Sequence, residues 1–491
     1  MPPQFSIVIP TRNRKETLVS SLQTCLSQTF DDYEIVIHDN SDGDETQVYI
    51  THLLETSERA KRLVRYFKND VSVAMTANFE LAVGRSTGNY VIVLGDDDGI
   101  LPRCLEEVNL LLEITSMKVI KWANALYTWP NISVPGSANY LGFSIERSYR
   151  LVNGIECISE CLRKIEYVDL PLLYINAAIS RETIDEIRRR TGSVFGSRSP
   201  DVYSGFAIAY ICGQFASTTV PLTIAGLSRS SNGTASLFGG ANATPVKDFN
   251  ALNALSGEQG FSRHPHVPDL GVYPTQVVAE CFLTVKERLF PDDNRLDFPR
   301  DRILRETAMR VDVAQKANAD DLRFCAAGDR ELEAVVEDLI SNPIPQLAKP
   351  RLRPELLGAD GTNLHVDAAD FGIENIEEAV AFVHHIVWPA NAPLRYDLGN
   401  SQSHLVAMSD DLIATRQLLI ERTNQGLALA NDLAQTRDIL IERTDLSATL
   451  SRELIERTSR LEAALVEQRK LTDQVAELKA QNAMLKSKHW K

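Results

Sequence analysis

The chain has 491 residues and carries 51 Lys and Arg against 66 Asp and Glu, which gives a formal net charge of −15 at pH 7. This length predicts two or three domains, and the acidic balance argues against a broad nucleic-acid surface, because phosphate binding needs clustered basic residues. No apolar run approaches the roughly 18–20 residues of a membrane helix. We therefore expect neither a nucleic-acid partner nor a transmembrane segment.

The first half of the chain alternates apolar runs with amphipathic segments. Buried strands are predicted for FSIVIP, YEIVIHD, LVRYFKN, NYVIVLGD and KVIKWANALY. Intervening helices are predicted for ETLVSSLQTCLSQ, THLLETSERAKRLV, ANFELAVGRS and CLEEVNLLLEI. This alternation is typical of a mixed, mostly parallel sheet with helices on both faces. We predict an α/β domain over residues 1–240.

A loop rich in Gly, Ser and Asn, at residues 230–245, predicts the end of this domain. Beyond it, PTQVVAECFLTVKERL, RDRILRETAMRVDVAQ, ELEAVVEDLI and IEEAVAFVHHIV are helical candidates separated by Pro-containing turns. Residues 241–400 are therefore predicted to form a mainly helical extension, for which the sequence indicates no role.

The last segment, residues 401–491, carries a seven-residue repeat. IERT occurs at residues 420, 441 and 455, and Leu recurs in steps of seven around it. From Leu461 onward a second apolar row begins at Ala464, as in the a and d seam of a coiled coil. The pattern predicts a homo-oligomer, with a dimer favoured over a trimer. A single long solvated helix is the alternative.

Polar side chains follow three of the predicted strands at the point where each strand ends. Thr11 to Arg14 follow the first strand, Asp39 to Asp42 the second, and Gly95 to Asp98 the strand NYVIVL. Ligands of open α/β sheets bind beyond the carboxyl ends of the strands. The spacing therefore predicts one polar edge that gathers all three turns.

Three adjacent carboxylates, Asp96, Asp97 and Asp98, repel one another unless a cation lies among them. Carboxylate oxygens are ligands that Mg²⁺ and Mn²⁺ prefer, and a phosphate group can complete the coordination shell. Asp39 and Asp42 can accept hydrogen bonds from a base N–H or from ribose hydroxyls. The alternative for each group is an ordinary solvated turn.

The sequence also resembles a known family. FSIVIPTRNRKETLVSSLQTCLSQTFDDYEIVIHDNSDGDET is similar to the opening of family 2 glycosyltransferases, which have the GT-A fold. The resemblance continues through TANFELAVGRSTGNYVIVLGDDD and SPDVYSGFAIA, and it covers about residues 5–235. The chain departs from the family pattern at Gly95, because members commonly carry the first acid of an L-D-x-D-D signature there.

The resemblance implies a role for each polar turn. The positions that would contact a nucleotide sugar are Pro10, Thr11, Arg12, Asp39, Asn40, Asp42, Asn78 and Asp96. Asp39 would bind the base, usually uracil. A divalent metal, Mn²⁺ or Mg²⁺, would be held within Asp96, Asp97 and Asp98. Because Gly95 replaces an acid, either Asp97 is the ligand or Asp96 and Asp98 form the pair.

In the family, an Asp at the start of a helix near SPDVYSGFAIA serves as the catalytic base, which implies Asp201 here. A base on the face opposite the leaving group would invert the anomeric carbon. The alternative is that Asp201 merely stabilises the first turn of a helix beside Pro200.

These expectations combine into one function, the inverting, metal-dependent transfer of a sugar from a nucleotide-sugar donor to a glycan or lipid-linked acceptor. The resemblance implies that the donor is UDP-linked. The expected setting is surface polysaccharide synthesis in the cytoplasm, either free or peripheral at the inner face of the membrane. The rival hypothesis is a non-catalytic scaffolding protein that oligomerises through its coiled coil.

Overall fold

The computed structural model describes residues 2–231, 244–255, 264–269, 274–346, 351–388, 456–477 and 479. The chain divides into two compact units, Met1–Leu394 and Arg395–Lys491. The strands described are β1 (Phe5–Thr11), β2 (Tyr33–Asp39), β3 (Val64–Lys68), β4 (Tyr90–Val93), β5 (Gly99–Ile100), β6 (Val119–Thr128), β7 (Tyr140–Ser144), β8 (Tyr149–Asn153), β9 (Ala177–Ser180), β10 (Gln214–Leu227), β11 (Gly358–Asp360) and β12 (Asn363–Asp367).

The helices of the first unit cover both faces of these strands. They are α1 (Lys15–Leu26), α2 (Glu45–Thr56), α3 (Glu58–Leu63), α4 (Met75–Arg85), α5 (Cys104–Thr115), α6 (Gly154–Lys164), α7 (Arg181–Thr191), α8 (Pro200–Cys212), α9 (Thr244–Leu255), α10 (Pro274–Leu289), α11 (Arg300–Ala308), α12 (Lys316–Ala326), α13 (Arg330–Ser341) and α14 (Ile376–Val387). The helix predicted for RDRILRETAMRVDVAQ is shorter than expected, because α11 ends at Ala308.

All the described strands belong to one mixed sheet. Its main order is β11-β12-β7-β6-β9-β4-β1-β2-β3, and β10 pairs with β5, β6 and β8. Among these described strands, four pairs are parallel and seven are antiparallel. The α/β class is therefore confirmed. The expectation of a mostly parallel sheet holds for β1 to β4, where helices connect the strands, but not for the rest.

The register of the parallel strands aligns the turns that carry the candidate residues. Thr11, the last residue of β1, lies opposite Asp39, the last residue of β2. On the other side of β1, Val8 pairs with Val93, and the backbone N–H of Leu94 donates to the carbonyl of Val8 at 2.9 Å. Because these strands run in the same direction, the polar turns after β1, β2 and β4 meet at one edge.

Apolar side chains on both faces anchor this edge. Along β1, Ile7 and Ile9 enter one hydrophobic cluster, whereas Val8 enters the cluster on the opposite face, as the alternation of a strand requires. The helix α1 buries Leu18 and Leu22 on the predicted stripe. The parallel strands are thus enclosed on both sides, which explains their continuous apolar runs.

The region predicted as a helical extension also contributes strands to the sheet. β12 pairs with β7, with His365 opposite Gly142. The side chains of Ile376 and Val380, on α14, lie directly against Gly99. Residues 358–387 therefore complete the sheet and its core. The division at residue 240 does not separate two compact units, and as a functional division it stays a prediction.

In the second unit, residues 456–477 are helical. Leu461, Leu465, Leu471 and Val475 are exposed along this helix. Most of the segment predicted as a coiled coil, including residues 401–455, lies outside the described residues, so the coiled coil stays a prediction. No helix in the described part of the chain combines the length and apolar character needed to cross a bilayer.

Candidate active site at the edge of the parallel strands

The turn after β1 is joined directly to the turn after β4. The hydroxyl of Thr11 donates to Oδ2 of Asp96 at 2.7 Å. From α1, the hydroxyl of Ser21 donates to the carbonyl of Gly95 at 3.1 Å. These contacts hold the acidic turn against the start of α1, so the convergence predicted for the two turns is present.

The turn after β2 holds Asp39 in a fixed orientation. Asp39 is fully buried, and its Oδ2 accepts a hydrogen bond from the hydroxyl of Tyr66 at 2.6 Å. Its Oδ1 accepts from the backbone N–H of Ser41 at 2.8 Å. Burial, together with the bond to this carboxylate, raises the pKa of Tyr66, so Tyr66 stays a hydrogen-bond donor.

Asn40 and Asp42 shape the outer part of the same turn. The side chain of Asn40 donates to the carbonyl of Val73 at 2.8 Å and accepts from its N–H at 2.9 Å, which fixes the segment before α4. Asp42 is exposed and accepts hydrogen bonds from Arg12 at 3.0 Å and from Ser72 at 2.7 Å. The bond from Ser72 is the main cause that lowers the pKa of Asp42. Arg12 and Asp42 therefore form one polar rim.

Two of the predicted nucleotide contacts lie deeper in the protein. Pro10 is a buried residue inside β1, opposite His38 of β2. Asn78 is buried on α4, where its Oδ1 is 2.8 Å from Nδ1 of His38 and accepts from Asn69 at 3.1 Å. Asn78 thus connects α4 to β2 beneath the polar edge. The contact of both residues with a nucleotide stays a prediction.

The acidic turn is neutralised in part by the protein itself. Nη1 of Arg14 lies 3.0 Å from Oδ1 of Asp96 and 3.9 Å from Oδ1 of Asp97. The second oxygen of Asp97 accepts hydrogen bonds from the hydroxyls of Ser228 and Ser231, each at 2.7 Å. A guanidinium and two hydroxyls thus offset the repulsion between these neighbouring carboxylates.

Asp98 turns away from this cation. Its carboxylate accepts hydrogen bonds from the backbone N–H of Gly95 at 2.9 Å and of Gly226 at 2.7 Å. Burial raises the pKa of Asp98 to about 8, with a further contribution from the charge of Asp97. A side chain on Gly95 would meet Oδ2 of Asp98 and the hydroxyl of Tyr174 within 2.4 Å. Asp98 therefore fills the space that an acid at position 95 would need.

Two of the three acids fit a divalent cation. Oδ1 of Asp96 and Oδ1 of Asp97 both face a single positively charged nitrogen, and this is the donor set that Mg²⁺ or Mn²⁺ uses. Asp98 is held by backbone N–H groups, so its predicted role as a ligand gains no support. In the described part of the chain, no three His, Cys, Asp or Glu side chains form a metal cluster. A metal here would need further ligands from a phosphate or from water.

Asp201 lies in the first turn of α8, after Pro200. Burial raises the pKa of this carboxyl, although hydrogen bonds from backbone N–H groups, first that of Val202, oppose the shift. The hydroxyl of Ser204 donates to the Asp201 carbonyl at 2.7 Å and accepts from the N–H of Leu173 at 3.2 Å. Within the described residues, no hydrogen bond or ion pair joins Asp201 to the acidic turn directly.

Tyr174 is the nearest link between these two acidic regions. It follows Leu173 in the chain, and its hydroxyl hydrogen-bonds to the Asp98 carboxyl. Burial raises the pKa of Tyr174, and the charge of Asp98 adds to this shift. The structure thus brings together Thr11, Asp96 and Asp97. Tyr174 bonds to the neighbouring Asp98, and the backbone of Leu173, the residue before it, bonds to Ser204 of α8.

Several residues of this site had no role in the sequence-based prediction. They are Arg14, Tyr66, Tyr174, Ser228 and Ser231. Arg14 lies in the polar turn after β1, so its position was a usable signal. The two serines belong to a stretch with the composition of a linker, and no local pattern distinguishes them from one.

The N-terminal part of the chain matches a known family. Residues 6–119 match the family model described as glycosyl transferase family 2. This segment contains the polar turns after β1, β2 and β4. Tyr174, Asp201, Ser228 and Ser231 lie beyond it.

Curated relatives are similar over the same part of the chain. The GalNAc(5)-diNAcBac-PP-undecaprenol beta-1,3-glucosyltransferase of Campylobacter jejuni is 28% identical over 104 residues, which are 21% of this chain and 32% of that protein. The PGL/p-HBAD biosynthesis glycosyltransferase of Mycobacterium bovis is 34% identical over 100 residues, which are 20% and 37%. The chain thus spans about a third of the length of these relatives.

Solved structures are similar over a larger share of the chain. TarS 1–349 of S. aureus in complex with UDP-GlcNAc has 15% sequence identity and a TM-score of 0.41, covering 69% of this chain and 85% of that one. The mannosyltransferase PcManGT of Pyrobaculum calidifontis, in complex with GDP-Man and Mn²⁺, has 14% identity and a TM-score of 0.33, covering 70% and 88%.

Proposed function

We propose that this protein transfers a sugar from a nucleotide-sugar donor to a glycan or lipid-linked acceptor in surface polysaccharide synthesis, with inversion at the anomeric carbon. One observation carries the proposal. Within the segment that matches the family 2 model, the ends of β1, β2 and β4 bring Thr11, Asp39 and the Asp96–Asp97 pair to one edge of the sheet.

The turns after β1 and β2 would bind the nucleoside. Asp39 is oriented by Tyr66 and Ser41, and a carboxylate has lone pairs left to accept an N–H from a base such as uracil. The rim formed by Arg12 and Asp42 would meet the ribose, and Asn40 keeps the turn in place. The preorganised turn supports binding of a nucleobase, and the resemblance to the family implies a UDP-linked donor.

The acidic turn would hold a divalent metal through Asp96 and Asp97. A bound Mn²⁺ or Mg²⁺ would supply positive charge to the diphosphate leaving group. Thr11 holds the second oxygen of Asp96, and Ser228 and Ser231 hold the second oxygen of Asp97. The first oxygens of both carboxylates face the place that Nη1 of Arg14 occupies, and there they would hold the ion.

Asp201 would accept the proton of the acceptor hydroxyl. A catalytic base is most effective when its pKa is near the working pH, and burial raises the pKa of Asp201 in that direction. Attack from the side of α8, opposite the leaving nucleotide, would invert the anomeric carbon. The link from Ser204 through Leu173 to Tyr174 supports a position of this base close to the acidic turn.

A scaffolding role is the second candidate. The observation that favours it is that Arg14 and two serines already partner the Asp96–Asp97 pair, and that no side chain fits at Gly95. Such a site can be stable without any ligand. In that case the exposed apolar residues of the helix at 456–477 would carry the function by assembling copies of the chain.

A hydrolysis screen separates these candidates. The full chain is incubated with UDP- and GDP-sugars, with and without Mn²⁺ and without acceptor, and free nucleotide is measured. We expect Mn²⁺-dependent release that is lost in Asp97→Asn and kept in the control Asp31→Asn, because Asp31 is an exposed acid before β2. If no donor is hydrolysed and calorimetry detects no UDP binding with Mn²⁺, the scaffolding role gains the support.

We further infer homo-oligomerisation through the C-terminal coiled coil. Deleting residues 403–491 should lower the mass measured by light scattering to that of a single chain. The paired substitution Leu461→Glu with Leu471→Glu should do the same, because it places charges on two exposed apolar positions of the helix. A mass that neither change affects would exclude the coiled coil.

A cytoplasmic location, free or peripheral at the inner face of the membrane, completes the proposal. It is supported by the seven cysteines, none of which forms a disulfide within the described residues, as expected in a reducing compartment. Cell fractionation with and without high salt would distinguish the free state from the peripheral one.

A further inference from the structure

Arg14 is the cation that lies between Asp96 and Asp97, and the proposed reaction gives it no role. Its Nη1 faces Oδ1 of both carboxylates, at 3.0 Å and 3.9 Å, and its Nη2 donates to the carbonyl of Ser230. The Arg14 side chain is 20% exposed, whereas each carboxylate is 4% exposed. The guanidinium therefore closes the solvent side of the acid pair.

A metal and this guanidinium cannot both occupy the acid pair. Divalent ions of this kind bind carboxylate oxygens at about 2.1 Å. An ion held by Oδ1 of Asp96 and Oδ1 of Asp97 would lie in the space in front of these oxygens, which Nη1 of Arg14 now fills. Two positive charges at such a separation repel each other in a site that excludes most water.

We infer that Arg14 is the resident counter-ion of the Asp96–Asp97 pair, and that a divalent cation binds only by displacing its guanidinium. The inference rests on the metal role in the proposed function and deepens it. Arg14 then sets how tightly the metal is held, because each binding event must break an ion pair with Asp96. Arg14 is a positioning residue in this scheme and takes no part in the chemical step.

The displaced side chain has a second partner when a nucleotide is present. Arg14 belongs to the turn after β1, so it remains beside the acid pair when it leaves its present position. A diphosphate bound to the metal would present oxygens there, and a guanidinium pairs with phosphate through two parallel hydrogen bonds. Arg14 should therefore weaken binding of the metal alone and strengthen binding of a nucleoside diphosphate with the metal.

The experiment measures Mn²⁺ binding to the full chain by calorimetry without nucleotide, and then UDP binding at saturating Mn²⁺. In Arg14→Gln we expect Mn²⁺ to bind about tenfold more tightly, the size of one charge-assisted hydrogen bond, and UDP to bind about tenfold more weakly. Arg353→Gln is the matched control, because Arg353 pairs with Asp367 at 2.7 Å and is 23% exposed, away from the polar turns.

Arg14→Lys guards against a folding defect in the Gln variant. Lys keeps the charge but not the planar fork, so its Mn²⁺ affinity should lie between those of the wild type and Arg14→Gln. Mn²⁺ should also raise the Tm of Arg14→Gln more than that of the wild type, because the ion replaces the missing positive charge. If Arg14 had only a structural role, its replacement would change the Tm but would not raise the Mn²⁺ affinity while lowering the UDP affinity.

Equal or weaker Mn²⁺ binding in both Arg14 variants would overturn the inference, and so would the absence of Mn²⁺ binding in every protein tested. Failure of the proposed function is a separate result. If Mn²⁺ binds Arg14→Gln more tightly than the wild type but no nucleotide sugar is hydrolysed, the transferase activity is rejected and the competition between Arg14 and the metal is kept. If nucleotide sugar is hydrolysed but the Arg14 variants bind Mn²⁺ and UDP as the wild type does, the competition is rejected and the transferase activity is kept.

Discussion

The acidic turn at residues 95–98 and the start of α8 hold carboxylates that are buried in the turn and half-buried at Asp201, and they give them opposite surroundings. Asp96 and Asp97 meet a guanidinium and hydroxyl groups. Asp201 meets backbone N–H groups and the apolar cluster that includes Val202 and its neighbours. Burial alone therefore does not decide what a carboxylate does. The first pair faces a guanidinium, whereas burial raises the pKa of Asp201 and so favours its protonated form.

The largest effect expected from this difference is on the chemical step. Asp201→Asn should lower the transfer rate about 10²–10⁴-fold, which is the usual contribution of a general base. The Mn²⁺ and UDP affinities should not change, because they depend on the acidic turn. Steady-state kinetics with calorimetry would measure both, and Asp301→Asn, in the first turn of α11, is the matched control. Transfer at the wild-type rate would remove Asp201 from the base role.

Stability should separate the acids within the turn itself. Asp98→Ala removes the acceptor of two buried backbone N–H groups, so we expect the free energy of unfolding to fall by roughly 2–4 kcal/mol. Asp97→Ala should cost only about 1 kcal/mol, because the serine hydroxyls can rotate toward other acceptors and repulsion with Asp96 is relieved. Urea denaturation measures both, and equal losses would contradict the different roles assigned to these two acids.

The comparison also predicts a pH dependence for Asp201. Because burial raises its pKa in the folded state, protonated Asp201 favours folding, and this contribution is lost as the pH rises from the ordinary value of 3.8 through the raised value. Its charge acts on Tyr167 and Cys281, and both are neutral over this range, since burial raises their pKa values still further above it.

Asp201→Asn should therefore match the wild type in stability at pH 3 and become more stable than the wild type as the pH approaches 7. Denaturation at several pH values would measure this difference. A constant difference across that range would show that the Asp201 carboxyl titrates as in the unfolded chain.

The smallest effect concerns the orientation of Asp96. Thr11→Val keeps the shape of the side chain but removes the hydroxyl that donates to Asp96, so the free energy of unfolding should fall by about 1 kcal/mol. Thr11→Ser should restore it, because Ser keeps the donor. If Thr11→Val and Thr11→Ser have the same free energy of unfolding in urea denaturation, the Thr11 hydroxyl has no part in holding the acidic turn.

Local patterns were sufficient for much of the parallel part of the sheet. The run YEIVIHD coincides with β2, and CLEEVNLLLEI lies within α5. The apolar stripe predicted for α1 is buried. Strand and helix periodicities are properties of short windows, so neighbouring residues alone carry this information.

Residues 358–367 show where local patterns failed. They lie in the predicted helical extension, yet they form β11 and β12, and β12 pairs with β7. The helix predicted for IEEAVAFVHHIV, by contrast, coincides with α14. The Asp360–Gly361 pair was a usable signal for a hairpin between β11 and β12. The partner strand, however, lies more than 200 residues earlier in the chain, and nothing in a short strand specifies so distant a pairing.

The sequence by itself determined that acidic turns follow β2 and β4 and that these turns share one edge, because parallel strands with apolar runs leave their carboxyl ends on the same side. Only the tertiary structure decided which acid faces a cation and which faces the backbone. Asp96 meets Arg14 from 82 positions upstream, and Asp98 meets Gly226 from 128 positions downstream. A carboxylate takes its protonation and its role from such partners, and only folding brings them within hydrogen-bond distance.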